Sequence, residues 1–206
     1  MEQGTEEWFA ARLGKVTASR VSDVMSKTKT GYGAGRESYM SQLIAEILTG
    51  KKTDGFSNAA MQWGTETEPF ARMAYEAHKD ILVDEVGFAS HPTIERAGAS
   101  PDGLVGDDGL IEIKCPNTAT HLDTLIDKTV PKKYRDQMQF QMACTGRKWC
   151  DFVSFDNRLP ENLQIFVLRV ERDDKHIAEM EIAITKFLAE MQEKIDKLTK
   201  SKVANV

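Results

Sequence analysis

Apolar residues recur along the chain in two rhythms. Residues 38–48 set Leu43, Ile44, Ile47 and Leu48 three and four apart, the spacing of one buried helix face. Residues 173–200 keep that spacing much longer, through Ile177, Met180, Ile184, Phe187, Leu188, Met191, Ile195 and Leu198, and predict a long amphipathic helix covering a sheet. Its stripe is too broad for a coiled-coil seam. Shorter helices are expected at 7–12, near 18–21 behind a Thr17 or Ser19 cap, from Asn58 through Trp63 to Lys79, behind an Asn117 or Thr118 cap, and from Pro131 onward. Pro69 predicts a kink or a restart within the third of these.

Strands follow the other rhythm. Leu110, Ile111 and Ile113 form a short apolar run, 149–155 and 163–170 flank a D-N-R-L-P-E-N turn, and 81–89 alternates. Residues 91–99 read as a turn, with His91 a loop histidine, and His121 is expected to be structural. Residues 27–36 (K-T-K-T-G-Y-G-A-G-R) are a Gly-rich basic loop; no strand precedes their G-x-G-x-G, so it is not a nucleotide-binding fingerprint. Residues 51–57 read as a polar linker and 201–206 as a frayed tail. The order predicts an α/β fold, a mixed central β-sheet flanked by helices, as one domain over residues 1–206.

Composition narrows the class. Hydrophobic content of 41% and charged content of 29% suit a soluble globular chain. No apolar run approaches the ~18–20 residues of a membrane span, and M-E-Q-G-T-E-E lacks the regions of a signal peptide, so a cytoplasmic location without membrane partners is expected. Cys115, Cys144 and Cys150 are odd in number with no C-x₂-C pair, which disfavours a disulfide framework or a structural zinc site. A net charge of −5 does not advertise nucleic-acid binding, but the basic residues bunch at Lys15, Arg20, Lys27, Lys29 and Arg36, and again at Lys128, Lys132, Lys133 and Arg135. An acidic exterior with local basic patches suits an enzyme that grips DNA and still moves along it.

The candidate chemistry lies in residues 100–116, S-P-D-G-L-V-G-D-D-G-L-I-E-I-K-C-P. Glu112 and Lys114 are two apart on a strand, so their side chains leave one face, and Asp102 on the preceding arm of the hairpin can be brought opposite them. An E-x-K pair is ordinarily a solvated ion pair worth ~0–1 kcal/mol. Here it interrupts an apolar strand, where a charge needs compensation, and a metal supplies it. Two carboxylates with the Ile113 carbonyl suit Mg²⁺ or Mn²⁺, and Lys114 can hold an attacking water.

P-D-G with E-I-K resembles the PD-(D/E)xK nuclease superfamily, and S-P-D-G-L with E-I-K-C-P is closer still to its phage lambda exonuclease branch. The W-x-x-x-R-x-G-x-x-T-A-S spacing from Trp8 and the Y-x-x-Q-x-Q pattern from Tyr134 agree, so the resemblance covers about residues 8–172. It implies the restriction-endonuclease-like core and a Mg²⁺-dependent 5′→3′ exonuclease on double-stranded DNA, with two ions per site, that leaves 3′ overhangs for recombination. It further implies a homotrimeric ring around DNA, a single-strand annealing partner, and phage or prophage origin in a bacterial host. Residue by residue, it implies that Asp102, Glu112 and Ile113 hold metal, that Lys114 orients the nucleophile, and that Glu68 belongs to the metal or its waters. Arg12, Ser19, Ser100 and Gln137 would bind the 5′-phosphate, with Gln137 alternatively positioning the water, and Met61 would wedge into the DNA. Thr120 stands where the family often has a basic residue, and the cysteine count excludes relatives with a four-cysteine iron–sulfur cluster. The alternatives are an endonuclease of the same superfamily, in repair or restriction, and a non-catalytic DNA-end-binding module.

Overall fold

The computed structural model describes residues 1–29, 31–53 and 59–201; the end of the expected 51–57 linker, Asn58 and the 202–206 tail lie outside the described residues. Helix α1 (Glu6–Arg12) is capped by Thr5, whose hydroxyl accepts the Trp8 amide at 3.3 Å. Strand β1 (Val16–Thr17) leads through a 3₁₀ turn (Ala18–Arg20) into α2 (Val21–Met25). Thr17 holds the N-cap position of the 3₁₀ turn without a capping side-chain bond, and Ser19 lies within the turn; their hydroxyls face each other, 3.4 Å apart.

The Gly-rich stretch differs from the expected loop. Its described residues form a hairpin of β2 (Lys27–Thr28) and β3 (Gly31–Tyr32), and α3 (Ala34–Thr49) begins inside it. Arg36 explains the early start, because it is buried, pairs with Glu190 at 2.7 Å and stacks on Tyr32 at 3.9 Å. It belongs to the core and not to a basic surface. Helix α4 (Ala59–Lys79) runs through Pro69 without a restart. Pro69 is exposed, and so is Thr65, whose carbonyl loses its helical donor, so water can satisfy that group.

The strand expected at 81–89 is two short ones, β4 (Val83–Asp84) and β5 (Ala89–Ser90), in different sheets. Gln3 reaches the crossing between them, donating to the Val86 carbonyl at 2.8 Å. Then follow β6 (Ala97–Ala99), β7 (Gly103–Val105), β8 (Gly109–Lys114), helices α5 (Thr118–Asp127) and α6 (Lys132–Thr145), strands β9 (Trp149–Phe155) and β10 (Ile165–Glu171), and α7 (Asp174–Ser201). Asn117 caps α5 through the Thr120 amide at 2.9 Å.

The main sheet has the order β10-β9-β8-β7-β4, with β8 and β9 parallel, Glu112 opposite Phe152, and its other pairs antiparallel. Gly109 opens β8 because the Trp149 indole occupies the space a Cβ would need. A smaller sheet has the order β1-β6-β5. One face of the main sheet, with Ile111, Ile113, Val153 and Phe155, packs on Ala71 and Tyr75 of α4. The other, with Leu110, Cys150, Phe152 and Val170, packs on Met138 and Met142 of α6.

Helix α7 does not cover the main sheet as its stripe suggested. Ile177, Met180, Ile184, Phe187, Met191 and Ile195 pack with Val21 and Val24 of α2, Tyr39 and Leu43 of α3, Phe140 of α6 and the small sheet. Helix α6 already occupies that face of the main sheet, so the stripe finds its apolar partners among helices. Two histidines are structural. His91 lies in the loop between β5 and β6 as expected, yet it is buried, stacks on Phe140 and meets Glu181 at 3.1 Å; buried His121 meets Ser154 Oγ at 2.7 Å.

Candidate active site

The alternation of β8 sends Leu110, Glu112 and Lys114 towards α6, while Ile111 and Ile113 face α4. Glu112 is 0% exposed, so its carboxylate depends on protein donors. Gln137 Nε2 reaches Oε1 at 2.7 Å, Gln141 Nε2 reaches Oε2 at 2.5 Å, and the Lys114 ammonium closes the set. Both amides come from one face of α6, four residues apart.

Asp102 lies at the entry to β7, where Oδ2 accepts the Ile113 amide at 2.6 Å. The N–H and C=O of a strand residue leave by the same edge, so the Ile113 carbonyl points to the side where Asp102 stands. Burial and the Glu112 charge hold the Asp102 carboxyl well above its usual range, against the pull of Lys114 and the Ile113 amide. Burial alone would ease the proton off Lys114, but Glu112 and Asp102 outweigh it and hold the proton tighter than usual. Lys114 is therefore a cation and donor at neutral pH, not a base.

This donor set fits a hard divalent ion. Two carboxylates with raised proton affinity at Asp102 are a place for positive charge, and they converge at the C-terminal end of β8. Among the described residues no three His, Cys, Asp or Glu side chains gather as a cage. The remaining ligands of such an ion would be backbone and water.

Glu68 of α4 stands across a cleft of about 440 Å³ that Met61, Ile113, Lys114, Pro116 and Tyr134 also line. It pairs with Arg72 at 3.1 Å. Burial raises its carboxyl pKa, with Arg72 and Lys114 pulling the other way and Glu112 and Glu85 adding to the rise.

A second cavity of about 330 Å³ holds Arg12, Ser19, Lys15, Arg20 and Lys52, and Met61 lines it as well. Arg12 lies over the Trp8 ring at 4.1 Å and donates to Ser100 Oγ at 2.8 Å; Trp8 Nε1 donates to the same oxygen at 2.9 Å. Ser100 is two residues from Asp102 and joins the two regions.

The structure thus gathers Asp102, Glu112, Ile113, Lys114 and Gln137 in one constellation, with Glu68 across its cleft, and Arg12, Ser19 and Ser100 in another. Gln137 stands with the first group, on Glu112, and Met61, 57% exposed, borders both cavities. Sequence reasoning gave Gln141 no role at the site. The available signal was polarity on otherwise apolar helix faces.

A YqaJ-like viral recombinase domain matches residues 7–148, which include every residue of both constellations. The chain belongs to the YqaJ-like viral recombinase family. This family member is 56% identical to an alkaline exonuclease (LHK-Exo) from Laribacter hongkongensis, with a TM-score of 0.92 over 98% of this chain and 100% of that one. The structure of LHK-Exo in complex with dAMP superposes equally well. A phage-related exonuclease from Haemophilus somnus 129PT is 17% identical, with a TM-score of 0.74 over 89% of this chain and 96% of that one, and shares the fold. A comparison with curated proteins finds no match. The fold of the YqaJ-like chain is the mixed, helix-flanked PD-(D/E)xK type expected from its sequence. Among its described residues, no helix is long and apolar enough to cross a membrane.

Proposed function

We propose that this YqaJ-like protein is a DNA exonuclease that holds the 5′-phosphorylated end of a duplex and removes nucleotides 5′→3′, leaving a 3′ overhang for recombination by strand annealing. The single observation that carries the reading is the convergence of Asp102, Glu112 and Lys114 at the C-terminal end of β8, next to a cation-lined cavity that Ser100 joins to it.

Asp102, Glu112 and the Ile113 carbonyl would hold Mg²⁺, or Mn²⁺, which when bound acidifies water and offsets phosphate charge. Lys114 donates to the attacking water oxygen and favours its hydroxide form. Gln137 and Gln141 fix Glu112 so that its oxygens do not turn. Arg12, oriented by Trp8 and Ser100, presents a guanidinium fork to the terminal phosphate, and Ser19 adds a hydroxyl. Glu68 faces the metal side of the cleft, and Met61, between the cavities, is the wedge that parts the end. Anchoring the end sets the polarity, because the strand whose 5′-phosphate is held is the one presented to Lys114. A closed trimeric ring would keep enclosed DNA from leaving between cuts, and a single-strand annealing protein would take the exposed 3′ strand. The setting proposed is the cytoplasm of a bacterium carrying the gene on a phage or prophage.

Digestion of a linear duplex with a labelled 5′-phosphorylated strand, beside a closed circle, tests the reading. Loss of the 5′-ended strand alone, an intact circle and full inhibition by chelator are expected. A nicked or linearised circle would move the protein to the endonuclease reading and leave Arg12 and Ser19 without a terminal phosphate to hold.

A further inference from the structure

The second cavity carries more positive charge than Arg12 alone explains. Lys15 and Lys52 line it too, and neither has a carboxylate partner among the described residues. Each ammonium is instead held by an aromatic face, Lys15 Nζ 5.2 Å from the Phe88 centroid and Lys52 Nζ 4.1 Å from that of Phe9. Such a contact positions an ammonium without neutralising it. Arg20, also in the wall, is engaged by Asp23 at 2.5 Å.

One carboxylate faces these cations. Glu46 is buried, and its donors are neutral: the Gly14 amide at 3.0 Å, Gln42 Nε2 at 3.1 Å and the Thr53 hydroxyl at 3.2 Å. The Gly14 contact seats the turn between Arg12 and Lys15 on α3. Gly14 has φ +66°, and a Cβ there would lie 2.6 Å from Ile47 Cγ1, so only glycine lets the turn sit this low. With Arg20 engaged, Arg12, Lys15 and Lys52 oppose Glu46 and leave an excess of two positive charges.

That excess has a natural counterpart. A terminal phosphomonoester carries about −1.5 to −2 at neutral pH, with a second pKa near 6. A phosphodiester inside a strand carries a single negative charge. We propose that Lys15 and Lys52 complete the terminal-phosphate pocket, whose net positive charge favours the dianion of a 5′-phosphomonoester over an internal phosphodiester, and that Glu46 trims that charge so that the end is not held too strongly to move on. The proposal rests on the end-anchored reading above and deepens it. It makes the choice of a strand end a matter of charge matching as well as shape. Without Glu46 the pocket would hold every phosphate more strongly, the terminal dianion most of all, and the enzyme would be slow to leave the end it grips.

The test is steady-state digestion of one duplex bearing either a 5′-phosphate or a 5′-hydroxyl, by the full chain and by R12A, K15Q, K52Q, K15R, K52R and E46Q. Each Lys→Gln change should raise KM for the phosphorylated end about tenfold, the loss of one charge-assisted contact, with kcat unchanged. It should also flatten the dependence of log KM on log salt by about one unit for each ammonium removed. The Lys→Arg variants should retain the preference for phosphate, and E46Q should widen it by lowering KM for the phosphorylated end. If R12A loses the preference while K15Q and K52Q keep both the preference and the salt slope, the charge-matching proposal is overturned and the anchored reading stands. If the unaltered protein and R12A both ignore the 5′-phosphate, both fall together.

Discussion

Lys114 separates binding from chemistry more cleanly than any other residue. Its ammonium rests on Glu112, lies over the Tyr134 ring at 5.1 Å and lines the cleft. Lys114→Ala should reduce cleavage by at least about a hundredfold, the lower range for a general acid–base group. Retention of duplexes with 5′-phosphorylated ends on a gel should change little; surviving cleavage would remove Lys114 from the mechanism. This residue and Glu112 were legible because a charge at alternating positions of an apolar strand calls for a partner. Their partners were less so. The sequence marks Gln137 and Gln141 as amides on a buried stripe, but only the packing of α6 over β8 reveals that both end on the same carboxylate.

Between elements, side-chain clamps do what loop composition cannot announce. The turn after β9 is fixed by Asp156, which is 0% exposed, accepts from Arg158 Nε at 2.7 Å and takes the Thr118 hydroxyl of α5 at 2.7 Å. Arg158 in turn lies over Trp63 of α4 at 4.1 Å and donates to the Pro116 carbonyl at 3.1 Å. Burial would push the Asp156 carboxyl up, but Arg158 and Thr118 outweigh it and hold the group at about 2. The unfolded value is about 3.9, so the stabilisation is fully present above that pH and fades as pH falls towards 2. Calorimetry of Asp156→Asn should show a lowered Tm near neutrality, with the gap from the unaltered protein closing between about pH 4 and pH 2. A gap constant with pH would show that the ion pair is not its origin. The Gly-rich stretch and Pro69 were harder to read for the same reason: buried Arg36 recruits part of the first into α3, and exposure excuses the second.

At the scale of the whole molecule, hydrophobic rhythm predicted the strands at the centre and both long helices, and the mixed sheet followed from their order. What rhythm could not supply was the choice of neighbour. An apolar stripe states that a helix is covered, not by what, and α7 found α2, α3 and α6 where a sheet was expected. Charge behaved likewise. A net −5 spread over the chain conceals a cavity whose charged residues are mostly cationic, because the sum says nothing about where the signs gather.

One short piece of backbone sets a scale for everything that follows. Ser100 and Asp102 are separated only by Pro101, which is buried and has its φ fixed by its ring, so the anchor and the blade are at most about 7 Å apart along the chain. A separation that short and that stiff behaves as a ruler. With the end held as proposed, each cut would be measured from the phosphate just gripped, and the enzyme should advance with a constant pitch, releasing single nucleotides whatever the sequence. Pro101→Gly would loosen the graduation, and chromatography of early products should then show short oligonucleotides beside the mononucleotides. An unchanged product ladder would mean that the pitch is set elsewhere.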